Sequence, residues 1–176
     1  MYSNAISGVV MFLVLVVGVV SASAVGKAPF LFTEDEQKTF NYEQSEWQSE
    51  LDNHLKNEEN MSQAKGVGPN ILVVVPELVK GVYRSQAPLK LLIFLKGALS
   101  PVDIDSLKVK GKRGFISLDI TNRIVPYIRN VQQGEEADFV IDARIPQLGS
   151  GHYRIFFSIA DIQGNEKQMD VFLEVF

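Results

Sequence analysis

Residues 153–175 read YRIFFSIADIQGNEKQMDVFLEV. The first eight, YRIFFSIA, are the most apolar run in the C-terminal half, and that predicts a strand central to a sheet. Asp161-Ile162-Gln163-Gly164-Asn165 predicts a hairpin turn, because Gly and Asn tolerate positive φ. Residues 167–175 (KQMDVFLEV) predict the last strand, which closes the chain.

The same pattern continues upstream. Residues 137–145 (ADFVIDARI) alternate, and 124–131 hold a further candidate strand. Residues 115–120 (FISLDI) and 106–110 (SLKVK) predict two strands joined by a turn at Gly111-Lys112-Arg113-Gly114. Residues 88–96 (PLKLLIFLK) predict a strand ended by Gly97, and 70–75 (NILVVV) one stopped by Pro76. About seven short strands in about 110 residues, with turns every 8–12 residues and no long amphipathic helix among them, predict a two-sheet antiparallel sandwich over 69–176. The expected fold class is mainly β.

Ile145-Pro146, then Gly151-His152-Tyr153, then Asp161-x-x-Gly164-Asn165 and a last apolar strand resemble the C-terminal strands of bacterial exported immunoglobulin-like domains. The approach from Ser85 to Pro88 and the run Ser117-Leu118-Asp119-Ile120-Thr121-x-Arg123-Ile124 are similar to such domains as well. The resemblance covers about 70–176 and implies an Ig-like β-sandwich. It implies no activity, because one fold hosts many roles. The Cys pair and strand Trp of antibody domains are absent. Tyr153 stands where it is either a corner tyrosine bonded to backbone or an ordinary strand residue.

Before the sandwich, residues 33–65 carry nine acids and three Lys, a charge of −6. Thr33 with Glu36 three positions on is a capping box, and acids crowd the first turn where the helix dipole favours them. Phe40, Trp47, Leu51 and Leu55 then recur about once per turn on one side, a stripe narrower than core helices show. Gly66-Val67-Gly68-Pro69 ends the segment. Residues 26–68 thus predict an acidic, amphipathic helical linker. Two readings stand: a spacer whose stripe rests on its own domain, or a helix presenting Phe40, Trp47, Leu51 and Leu55 to a protein partner. Asn60-Met61-Ser62 matches a glycosylation sequon.

Residues 6–20 read ISGVVMFLVLVVGVV without a charge. Residues 5–25 are long enough to cross about 30 Å of hydrocarbon as an anchor helix. The apolar centre is short, however, and Ala22-Ser23-Ala24 is a small-x-small cleavage triplet, so 1–25 reads equally as a signal peptide. Both readings export the rest of the chain, to a periplasmic or other extracytoplasmic location, anchored in the inner membrane if residues 5–25 stay uncleaved.

Composition narrows the chemistry. The chain has 176 residues, 17 Lys+Arg, 21 Asp+Glu, two His and no Cys, for a net charge of −4. That balance argues against a nucleic-acid partner, which a basic face would have to hold. Lack of Cys removes disulfides, thiolate metal sites and thiol catalysis. No zinc-protease, phosphate-loop or nucleophile-elbow motif occurs. His152 reads as a solvent-facing turn residue, and Asp103 with Asp105 as loop acids too few to make the six or more oxygens calcium needs. No catalytic residue, cofactor or metal is expected.

Lys108, Lys110, Lys112 and Arg113 form the strongest basic feature. At spacing two the three Lys share one strand face. They predict either a solvated edge or an anion-binding patch for lipid headgroups or an acidic surface. Tyr83 and Tyr127 are the plausible pair for stacking on a glycan. The expected role is an accessory or scaffold subunit of a membrane complex, acting by protein–protein contact. The alternative is a module binding glycan or anionic lipid.

Overall fold

The computed structural model describes residues 31–61, 68–131, 137–146 and 148–176, with the backbone alone over 58–61. The predicted signal or anchor at 1–25 lies outside them. Among the described residues no helix is long and apolar enough to cross a membrane.

Among the described residues ten strands make two sheets. The first holds β1 (Asn70–Val75), β4 (Leu89–Lys96), β8 (Phe139–Ile145) and β7 (Ile128–Asn130), in the order β1-β4-β8-β7 and antiparallel throughout. The second holds β2 (Glu77–Val79), β3 (Val82–Ser85), β10 (Glu166–Val175), β9 (Gly151–Asp161), β5 (Val102–Arg113) and β6 (Ile116–Asp119), in that order. Only β3 and β10 pair in parallel. The chain is mainly β, as its turn spacing predicts. In chain order the first sheet follows the A-B-E-D arrangement of an immunoglobulin-type sandwich, and β10-β9-β5-β6 the G-F-C-C′ arrangement.

Alternation builds the core. Leu89, Leu91, Ile93 and Leu95 of β4 point inward, with Lys90 and Lys96 outward. They meet Val109, Ile155, Phe157 and Ile159 of the other sheet, all fully buried. The YRIFFSIA strand is central, as its composition predicts, lying between β10 and β5. The Asp161 turn closes as expected: its carboxylate accepts from Gln163 N (3.0 Å), Asn165 N (2.9 Å) and Asn165 Nδ2 (2.9 Å), and Gly164 takes φ 84°.

Three expectations need correction. The described residues hold ten strands, not about seven: the eight stretches read from the sequence lack β2 and β3, which are short and joined by Lys80-Gly81. Both turn residues have positive φ, 51° and 82°, and lysine is an unusual choice there. Gly111 is not a turn residue. It pairs with Leu118 on one side and Ile155 on the other, and the turn is Gly114-Phe115. Residues 124–131 are only partly strand. α3 (Thr121–Ile124) and a 3-10 turn (Val125–Tyr127) precede the short β7, with Pro126 placed early in the turn where its missing N–H does no harm.

The acidic segment is two helices rather than one: α1 (Glu34–Phe40) and α2 (Gln44–Met61). The capping box forms, with Thr33 N donating to Glu36 Oε2 (2.7 Å) and Glu36 N to Thr33 Oγ1 (3.3 Å). The break at 41–43 has a cause in the sandwich. Asn41 leaves the helix and its Oδ1 accepts from His152 N (3.0 Å), while Tyr42 N donates to His152 O (3.0 Å). The backbone at the start of β9 therefore draws the chain out of helical register.

Candidate functional site

Residues 31–57 hold the sandwich at two places. Leu31, Phe32 and Phe40 belong to the central core, and the Phe32 ring stacks between Phe40 (5.4 Å) and Tyr153 (5.7 Å). α2 instead crosses the outer face of the six-stranded sheet. There Trp47 and Leu51 bury themselves with Tyr42, Val82 and Phe172 in a separate cluster, and Leu55 packs on its edge. The whole predicted stripe, Phe40, Trp47, Leu51 and Leu55, thus faces the chain's own sandwich. Phe40, Trp47 and Leu51 are buried there, and Leu55 stays partly exposed.

Charge reinforces the seam. Arg123 donates to both Glu36 oxygens (2.6 and 2.9 Å) and to Leu31 O (2.8 Å). The Arg123 hydrogen bond holds the Glu36 carboxyl down at about 2, against the cost of burial. Arg113 donates to Glu46 (Nη2 to Oε2, 2.7 Å) and to Thr39 O and Asn41 O (3.0 Å each). Arg154 bridges Glu50 (2.8 Å) and Asp170 (2.9 and 3.0 Å). Tyr42 hydroxyl lies against Glu50 and Lys112 O, and burial, then the Glu50 charge, raise its pKa.

This accounts for one of the four basic residues. Arg113 is a clamp on the helices, not part of an open anion site. Lys112 stands 3.9 Å above the Phe156 ring and Lys110 pairs across to Asp119. Lys108 is exposed. The three Lys share the outer face of β5, as the spacing requires, but each has a different neighbour.

His152 also departs from its expected place. It is not a solvent-facing turn residue, because β9 already begins at Gly151 and α2 covers that end. Its ring packs on Trp47 (4.6 Å), with Nε2 4.0 Å from Glu174 Oε1. His54 packs on Phe172 (5.0 Å). Tyr83 is buried in the core, which removes the proposed Tyr83–Tyr127 stacking pair from the surface. Among the described residues no group of three or more His, Cys, Asp or Glu is placed to hold a metal.

Two surface features were not legible in the sequence. One is a cavity of about 290 Å³ between the first turns of α2 and the β2–β3 hairpin, walled by Trp47, Leu51, Val82, Arg84, His152 and Glu174. The other is the outer face of the four-stranded sheet. Register places Leu72, Phe94, Val140 and Arg129 in one row across it, and Val75, Leu92 and Asp142 in the next. Leu72 is 57% exposed and Val74 42%, Leu92 and Phe94 are half-buried, and Val140 is covered, at 1% exposure. Lys90, Lys96, Arg129 and Arg144 rim that apolar centre, against Asp142 alone among the acids in those rows. The alternation in β4 names its own two faces, but only strand order and register bring these rows together.

No family model and no curated protein matches the chain. Among solved structures it is similar to murine CRIg, at 14% identity and a TM-score of 0.33, over 61% of this chain and 95% of that one. A superposition so loose carries nothing about function.

Proposed function

We propose that this chain is a non-enzymatic interaction protein, exported and either released or held at a membrane, that serves a larger complex as an accessory or scaffold subunit. The observation that supports this reading is the outer face of the four-stranded sheet, where Leu72 and Val74 stand open beside Leu92 and Phe94. Contiguous apolar surface of this kind marks contact sites. The basic rim of Lys90, Lys96, Arg129 and Arg144 fits a protein partner with an apolar centre ringed by acids. Both histidine rings are taken into aromatic packing, His152 on Trp47 and His54 on Phe172.

A photo-crosslinking side chain at position 72 tests the reading in intact cells. Crosslinks to one protein from position 72, lost on Phe94→Glu and absent from a crosslinker at position 56 on α2, are the expected result. Equal labelling from both positions, or none from 72, overturns it. The alternative, binding of glycan or anionic lipid, retains Lys108 and Lys110 as its best-placed cations. Binding to vesicles of anionic lipid that disappears in a Lys108→Ala/Lys110→Ala protein would replace the first reading.

A further inference from the structure

A buried donor beside the cavity under α2 is unanswered. Trp47 is 3% exposed, and its indole Nε1–H has no hydrogen-bond partner among the described residues. A buried N–H left without an acceptor is costly, and native proteins seldom keep one without a water, ion or ligand to receive it. Trp47 lines the cavity.

The rest of the lining says what kind of acceptor suits it. Arg84 and Lys80 stand at the wall beside a single carboxylate, Glu174. Glu174 takes Arg84 through Nε (2.7 Å), and among the described residues neither terminal nitrogen of Arg84 makes a further hydrogen bond. Lys80 keeps a left-handed backbone, φ 51°, at the turn that carries it to the cavity, a conformation lysine adopts only at a cost. Gln44 in the first turn of the 18-residue α2 and Gln48 in the second border the opening, at the end of the helix whose dipole favours an anion and which already carries Glu46. Leu51, Val79 and Val82 supply an apolar wall. A volume of about 290 Å³ lies at the small end of ligand pockets.

We propose that this cavity binds a carboxylate carried on a short apolar chain, with the carboxylate received by Trp47 Nε1–H, Arg84 and Lys80 and the chain lying on Leu51, Val79 and Val82. The carboxylate comes either from a small aliphatic acid or from the C-terminus of an apolar peptide. The site lies on the other sheet from the apolar face proposed to bind a partner, and it does not depend on that reading.

Trp47 is the sole tryptophan of the chain, so one indole N–H resonance and one fluorescence emission report on this cavity. Hexanoate titrated into the full-length protein should move the indole resonance saturably, and hexanol should not. Arg84→Met and Lys80→Asn should each weaken hexanoate about tenfold, the scale of one charge-assisted hydrogen bond. Lys80→Asn keeps a residue at home in left-handed backbone and serves where Arg84→Met disturbs Glu174. A tripeptide ending Val-Leu with a free carboxylate, against its C-terminal amide, separates the two sources: tighter binding than hexanoate assigns the peptide, weaker binding the small acid. Equal shifts with hexanoate and hexanol would reduce the site to an apolar hole, and no saturable shift with any probe would leave the indole to water. Either result overturns the proposal.

Discussion

Glu50 of α2 and Arg154 of β9, 104 positions apart, are joined by a 2.8 Å hydrogen bond from Nη1 to Oε2, and Asp170 of β10 holds the other side of the same guanidinium. Both partners are about one-fifth exposed. Burial works against the Arg154 charge, but Asp170 and then Glu50 outweigh it and raise its pKa. The bridge is the main polar link between the outer helix and the strand that runs through the middle of the larger sheet. Glu50→Gln keeps the shape and removes the charge. It should cost about 1–2 kcal/mol, whereas Arg154→Met, which strands two carboxylates, should cost about 3 kcal/mol or more. Denaturant midpoints check the magnitudes. Hydrogen exchange should show faster opening of 44–57 in both variants, with β4 and β8 unchanged.

The pair of Glu36 and Arg123 makes the α1 anchor sensitive to acid. The Glu36 carboxyl titrates at about 2 instead of 4.5, chiefly because Arg123 hydrogen-bonds its charged form. A depressed carboxyl stabilises the folded state fully above its unfolded value. That stabilisation fades as pH falls from about 4.5 toward 2 and is gone below. Allowing for solvent at this partly exposed pair, it is worth about 1–2 kcal/mol near neutrality. Wild type should therefore exceed Glu36→Gln in stability by about that amount at neutral pH, and the two curves should converge below pH 2. A gap that stays constant with pH would assign the effect to packing.

Tyr153 carries a corner bond: its hydroxyl donates to Gly149 O at 3.0 Å from a ring that is 1% exposed as a whole residue. Burial raises the pKa of that hydroxyl. Tyr153→Phe leaves the ring stack with Phe32 in place and deprives one carbonyl of its donor. The expected loss is about 1–2 kcal/mol, read as a shift in the thermal midpoint with the ring-proton resonances of Phe32 and Phe40 little moved.

What the sequence revealed and what it hid follow from the range of the interactions. Period-two alternation is local, so β4, β8, β9 and β10 could be read within a residue or two at each end. The Asp161–Asn165 turn and the Thr33–Glu36 box are equally local and formed as expected. The β2–β3 hairpin was hidden because three- and four-residue strands carry almost no periodicity, and Lys80 disguises the turn. The fate of the Phe40–Leu55 stripe was undecidable from the helix alone. A narrow stripe looks the same whether a partner or the chain's own Phe172 and Val82 cover it. The cavity at Trp47 and the row Leu72–Phe94–Val140 exist only through strand order, so no linear motif could announce them.

Gly111 shows the same limit at a single residue. In sequence it resembles the start of a turn, Gly-Lys-Arg-Gly. In the fold it sits in mid-strand on the inward face of β5, between the buried Val109 and the end of the sheet, and the Phe32 ring occupies the space a side chain would take. A Cβ built there would collide with two atoms of that ring. The glycine is therefore the socket through which residues 31–40 enter the core. Gly111→Ala keeps the strand pairing and should expel Phe32 or force it aside, at about 1–3 kcal/mol, the usual range for an overfilled core. Loss of Phe32 burial should also disturb its stacks on Phe40 and Tyr153, so the Phe40 ring-proton resonances should move here although they barely move in Tyr153→Phe. Phe32→Ala in the Gly111→Ala background tests the assignment. If the collision is the cause, the double variant should lose less stability than the sum of the two single variants. Simple additivity would place the cost of alanine elsewhere in the strand.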